Sequence, residues 1–202
     1  MSSRIATPAA LFAALALIAL PAQAQSPAPA EKPSPTISAP DVPRALQPGD
    51  AFGEPMTLPE KTVVYVKGSA SWDSAFDTLM NAFKKLDRYL DKQGIKATGP
   101  AMTIYTSTDD AGFNFNAALP IAQAPKDPPT GDIAIGKSPG GKALKFVHRG
   151  SYDAMDSTYE AIANYLDAKR LEAKDLFVEE YATDPQKTDP DHLVINVYVP
   201  VN

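Results

Sequence analysis

"YLDKQGIKATGPAMTIY" (residues 89–105) and "YLDAKRLEAKDLFVEEY" (165–181) decide the fold. Aligned at an offset of 76, they share Tyr-Leu-Asp at the start and Tyr at the end, Tyr105 against Tyr181. Two more blocks keep the same order. "VYVKGS" (64–69) precedes "FVHRGS" (146–151) by 82 positions, and "FNAALPI" (115–121) precedes "INVYVPV" (195–201) by 80. Three matches in one order mark a duplicated unit. The offsets change where length can vary, and they predict a first helix about six residues longer and a second hairpin loop about four longer.

Each unit reads strand, helix, strand, strand. Trp72, Phe76, Leu79, Phe83, Leu86 and Leu90 recur at threes and fours, which makes one helical face apolar, and Gly94 ends that helix. Met155, Tyr159, Ile162 and Leu166 repeat the pattern over a shorter span. Strands are expected at 62–66, 101–106, 112–119, 144–148, 176–182 and 193–199. The Ser-Pro-Gly-Gly turn at 138–141 is expected to fold 132–137 back on 144–147 as a hairpin. The fold class is therefore α+β: duplicated β-α-β-β units, about 60–121 and 131–202, with pseudo-twofold symmetry. Their strands are expected to merge into one mostly antiparallel sheet, with two helices on one face and a central cleft on the other.

The ends of the sequence carry other signals. Arg4, an apolar run from Ala9 to Leu20 and Ala22-Gln23-Ala24 form a secretory signal pattern, with cleavage expected after Ala24. The apolar run is shorter than the roughly 20 residues of a spanning helix, so stable membrane insertion is not expected after cleavage. Nine prolines fall between Gln25 and Pro59, which predicts a disordered tether over 25–59. Its last stretch, "GDAFGEPMTLPE", is a candidate to pack on the domain. A periplasmic or secreted monomer is expected. The chain has no Cys, so no disulfide, lipidated Cys or thiolate metal site is available. Loss of Arg4 with the signal takes the formal net charge from −5 to −6. That balance argues against nucleic acid and anionic lipid as partners.

"HRGSY" (148–152), "VEEYATDP" (178–185) and "VINVYVPV" (194–201) are similar to signatures of the GyrI-like small-molecule-binding domain. The same domain is the effector-binding part of AraC-type and MerR-type multidrug regulators. The resemblance covers about 60–202. It implies the duplicated fold and a partner that is a small hydrophobic or cationic molecule held in the central cleft. Some members resemble hydrolases of strained cyclopropane-type toxins. The fold is shared with heme-binding SOUL proteins, but here only His148 and His192 could ligate iron, and no cofactor or metal is expected. A signal peptide in place of a DNA-binding domain argues against transcription control.

The resemblance also implies a functional Glu in a Glu-x-Tyr pattern, matched by Glu179 and Tyr181. Alternation puts Phe177, Glu179 and Tyr181 on one face of their strand and Val178, Glu180 and Ala182 on the other. In the first unit Met102 and Ile104 form the more apolar set and are expected to face the helices. Thr103 and Tyr105 then look into the cleft with Glu179, and Thr103 is related to Glu179 by the pseudo-twofold. The expected ligand-binding set is Glu179, Tyr181, Tyr105, Thr103 and Phe177, with Glu179 as cation anchor. If the protein is a hydrolase, Glu179 is the general base and Tyr181 the orienting phenol. An envelope interaction module without ligand is the third reading. Glu180 is expected to be structural, reaching water or a Lys such as Lys174. Trp72 is expected in the core, and His148 to be satisfied or exposed.

Overall fold

The computed structural model describes residues 47–202. The signal peptide and the tether as far as residue 46 lie outside the described residues. The elements in chain order are β1 (Phe52–Leu58), β2 (Thr62–Ser71), α1 (Ala75–Gln93), β3 (Met102–Thr108), β4 (Gly112–Pro120), β5 (Ile133–Lys137), β6 (Gly141–Gly150), α2 (Met155–Lys169), β7 (Phe177–Tyr181) and β8 (Leu193–Pro200). All eight strands join one antiparallel sheet in the order β1-β6-β8-β7-β3-β4-β2-β5. The strand-helix-strand-strand units are thus β2-α1-β3-β4 and β6-α2-β7-β8.

The repeat is visible residue by residue. β3 and β7 meet at the middle of the sheet, where Thr103 pairs with Glu179, the residue 76 positions on. A residue paired with its own repeat equivalent sits on the pseudo-twofold axis. Short bridges after each helix, Ala97 to Ile121 and Ala173 to Val201, repeat with the same offsets of 76 and 80. Both helices end on a left-handed residue, Gly94 at φ 65° and Arg170 at φ 56°. The second repeat keeps the Gly cap's geometry without Gly, at a cost of roughly 1 kcal/mol. α1 has 19 residues and α2 has 15, so four of the six extra residues lie in the helix. The other two lie before it, because β2 runs on to Ser71 while β6 stops at Gly150.

The edge strands settle two expectations. β1 forms within "GDAFGEPMTLPE", the stretch expected to pack on the domain, and so shortens the expected tether: its Gly53 bulge and Pro55 are tolerated at an edge. The hairpin expected across Ser-Pro-Gly-Gly does not form. β5 pairs with β2 and β6 pairs with β1 and β8, at opposite ends of the sheet order. Each unit's leading strand is given to the other unit. The links that do this, 59–61 and 138–140, have three residues each and span at most about 14 Å. Each joins strands six places apart, roughly 29 Å in a flat sheet. The sheet must therefore curl until its ends approach. The two links meet there: Ser138 N donates to Lys61 O at 2.9 Å, and Lys61 N donates to Ser138 Oγ at 2.9 Å.

Curling buries both faces. Leu58, Val63, Met102, Ile104, Ala118, Ala143, Val178 and Tyr198, drawn from seven strands, form one buried cluster inside the curl. The other face carries the helices. Leu79, Phe83, Leu86 and Leu90 of α1 and Met155, Ile162 and Leu166 of α2 pack there on Val64, Phe113, Phe115, Phe146, Ile195 and Val197. Burial of this size, at about 25 cal/mol per Å² of apolar surface, supplies the fold's main driving force without disulfides.

Candidate functional site

Glu179 and its neighbours lie on the helix-covered face, and not on an open face opposite. Tyr159 of α2 donates to Glu179 Oε1 at 2.8 Å, and Tyr181, on the same side of β7, rests its ring on Phe83 of α1 at 5.4 Å. The expectation failed for a physical reason. Met102 and Ile104 are apolar because the curl buries them, so apolarity did not distinguish the faces.

Glu179 is fully buried. Tyr181 Oη donates to its Oε2 at 3.1 Å and stands 3.3 Å from Thr103 Oγ1. Tyr105 and Tyr152 share a hydroxyl–hydroxyl hydrogen bond of 2.7 Å beside it. Burial pushes the Glu179 carboxyl up to about 7, although the phenols of Tyr159, Tyr105, Tyr181 and Tyr152 all favour its charged form. Burial, and then the Glu179 charge, push those four phenols well above their usual range, so they stay protonated donors. No Lys or Arg forms a salt bridge with Glu179 among the described residues. Burying an ionised carboxylate without a counter-charge is costly, and phenols offset only part of that.

A cavity of about 370 Å³ opens onto this carboxylate between the first turns of the helices, where Ala75 and Met155 lie. Its walls are Tyr105, Tyr152, Tyr159 and Trp72, and its rim carries Asp73, Asp153 and Asp156. A second cavity, of about 380 Å³, adjoins it across Trp72, Tyr105 and Tyr159 and reaches Phe177, Asp109 and Asp110. No basic side chain lines either cavity. Each helix N-terminus contributes roughly half a positive charge, which alone would favour an anion; the aspartates reverse that sign. Trp72, expected in the core, is 45% exposed.

The expected set is therefore brought together, with different tasks. Thr103, fully buried, touches the phenol of Tyr181 and lines neither cavity; Tyr105 and Phe177 are walls. Tyr152 and Tyr159 lie outside the expected ligand-binding set, Tyr159 being expected only as part of the apolar face of α2. Their repeat equivalents are Trp72 and Leu79, 80 positions earlier. A Tyr where the repeat has Leu was the available signal, because a hydroxyl on a core face needs a partner.

Glu180 pairs with a Lys, as expected, but on the other face and with a different Lys. It points inside the curl, is 9% exposed, and binds Lys61 Nζ at 2.5 Å and Tyr198 Oη at 3.1 Å; Lys174 is not its partner. His148 is buried, with Nε2 2.9 Å from Ser151 O and Nδ1 2.8 Å from Thr158 Oγ1. Burial lowers its pKa, and the neutral ring pins the turn that carries Tyr152. Among the described residues no cluster of His, Cys, Asp and Glu could hold a metal.

Residues 56–202 match the family model described as the GyrI-like small molecule binding domain. No curated protein matches the sequence significantly. Among solved structures, the EcmrR–DNA complex is similar with a TM-score of 0.63 at 16% identity, over 73% of this chain and 56% of that one. The chain thus spans just over half the length of that regulator. A hydrolase encoded by lin2189 from Listeria innocua is similar with a TM-score of 0.52 at 14% identity, over 75% of this chain and 93% of that one. SAV2435 bound to tetraphenylphosphonium gives 0.51 at 13% identity, over 74% and 93%. At these identities the likeness is one of fold.

Proposed function

We propose, since the chain belongs to the GyrI-like small molecule binding domain family, that it captures an aromatic or otherwise hydrophobic cation with its charge held by Glu179. The observation that carries this reading is a wholly buried carboxylate, bonded only to phenols, at the end of an aromatic cavity with an acidic rim. A cation entering there supplies the counter-charge that the fold does not. The aromatic walls add cation–π attraction of about 0.5–2 kcal/mol. Anions and neutral polar molecules gain neither term.

Tetraphenylphosphonium, the ligand of SAV2435, is a suitable first probe. Calorimetry is expected to show saturable binding to the full chain and a loss of about tenfold or more in Glu179→Gln. Equal affinity in both proteins would end the anchor role.

A second reading has one observation behind it. A carboxyl held near 7 among phenol donors is poised to act as a general base on water, with Tyr181 orienting it. Turnover of a strained cyclopropane electrophile by the parent chain, lost in Glu179→Gln, would favour hydrolysis; ligand recovered intact would favour capture.

Export is proposed from the signal pattern at 1–24, with action in the periplasm or outside the cell as a monomer. Mature protein recovered from the envelope fraction should begin at Gln25; a chain recovered from cytosol with its start intact would oppose export.

A further inference from the structure

We infer that Trp72 is the platform on which the site holds a flat aromatic cation, and that the two cavities flanking it are one elongated site. This rests on the cation-capture reading and adds the shape of the ligand.

Trp72 lines both cavities, together with Tyr105 and Tyr159. Its ring is fixed from behind. Nε1 donates to Asp109 O at 2.9 Å, tying α1's leading turn to the β3–β4 hairpin. Phe113 packs on it at 4.9 Å between centroids, tilted by 39°. An indole held this firmly and still 45% exposed is costly to leave in water, and its repeat equivalent, Tyr152, is half-buried. The fixed geometry removes rotamer entropy that a ligand would otherwise have to quench. Indole is also the strongest cation–π partner among side chains.

The acidic residues extend along the same path, Asp153 and Asp156 on one side of Trp72 and Asp109 and Asp110 on the other. Glu179 closes only the inner end. A planar ring system spanning the indole places one end toward Glu179 and keeps the rest over aromatic faces. A bulky tetrahedral cation can use the inner carboxylate but cannot lie flat on Trp72.

The test compares ethidium, which is flat, with tetraphenylphosphonium, which is not. Trp72 is the chain's one Trp, so its fluorescence reports directly on the platform. Ethidium is expected to quench it in proportion to saturation. In Trp72→Leu, which keeps an apolar cover on Phe113, ethidium affinity should fall about tenfold and tetraphenylphosphonium affinity less than threefold. Trp72→Phe should restore most of the ethidium binding, and thermal melting should show that both variants fold. If both cations bind through Glu179 but Trp72→Leu weakens them equally or not at all, the platform is wrong and cation capture stands. If neither binds, or Glu179→Gln changes neither, cation capture itself fails and the platform with it.

Discussion

Thr103 and Glu179 pair directly across β3 and β7, on the axis that relates the two repeats. One position of the ancestral unit thus faces itself, and the chain has placed a hydroxyl on one side and a carboxyl on the other. That asymmetry sets an ionisable group at the centre of the helix-covered face of a near-symmetric sheet. It also sets a stability cost. Below its unfolded pKa near 4.5, Glu179 is protonated in both states. As pH rises toward about 7 the unfolded chain releases the proton and the folded chain keeps it, so stability falls across that window. The loss is on the order of 3 kcal/mol and is complete above pH 7. Glu179→Gln should abolish this slope. Urea melts at pH 5 and pH 8 are expected to show the variant gaining on the parent at pH 8; a parallel pH profile would contradict the burial cost.

A cation should reverse that cost by drawing the carboxyl into its charged form. Affinity is expected to rise with pH and to level off somewhat above 7, with proton release on binding below that point. Titrations in two buffers of different ionisation enthalpy measure the proton count. Tyr159→Phe keeps the ring and removes one donor from Glu179 Oε1. Its affinity curve should move to higher pH, whereas a site governed only by packing would keep its midpoint.

Lys61 and Glu180 link the crossed connections to the central strand inside the curl. Lys61→Met leaves a nearly buried carboxylate with only Tyr198 as partner, and is expected to cost about 1–3 kcal/mol. The double variant Lys61→Met, Glu180→Gln should recover much of that loss, because it removes the charge as well as its partner. Denaturant melts of the four proteins complete the cycle. Additive losses would show that the pair is not coupled.

The repeat in residues 89–105 and 165–181 was enough to find the sheet's central pairing, because duplicated sequence imposes symmetry. Glu179 and Tyr181 were named through the Glu-x-Tyr pattern that the family resemblance implies; symmetry and the alternation of strands then set Thr103 and Tyr105 beside them. Which face they look toward was not legible. Alternation separates two faces, and an ordinary open sheet leaves one polar, but this sheet curls and buries both. The curl follows from two three-residue links whose destinations are non-local, so Ser-Pro-Gly-Gly read as a hairpin. Trp72 was misread for a related reason: its spacing fits the apolar face of α1, yet it precedes the helix in a separate turn. Tyr159 meets Glu179 only once α2 is laid over β7, and Tyr152 meets Tyr105 only once the turn before α2 is laid over β3, contacts between segments distant in sequence.

The exchange of edge strands makes β1 part of the second repeat, although it lies next to the first in sequence. Its Phe52 packs edge-on against Phe146 and Tyr165, at 5.2 and 5.7 Å, and Tyr165 Oη donates to Gly53 O at 3.1 Å. Asp50 takes a two-point bond from Arg149, both contacts at 2.7 Å, which holds its carboxyl below the usual range. A chain starting at Pro59 would lose all of these and expose the edge of β6. It is expected to melt at least about 10 °C lower and to aggregate, because α2 loses a support and a sheet edge opens. A chain starting at Gln47 should melt with the parent. Equal melting of the two truncations would mean that β1 is an accessory to the fold; divergence would place the domain's start between Gln47 and Pro59 and bound how much of the proline-rich segment is left as spacer.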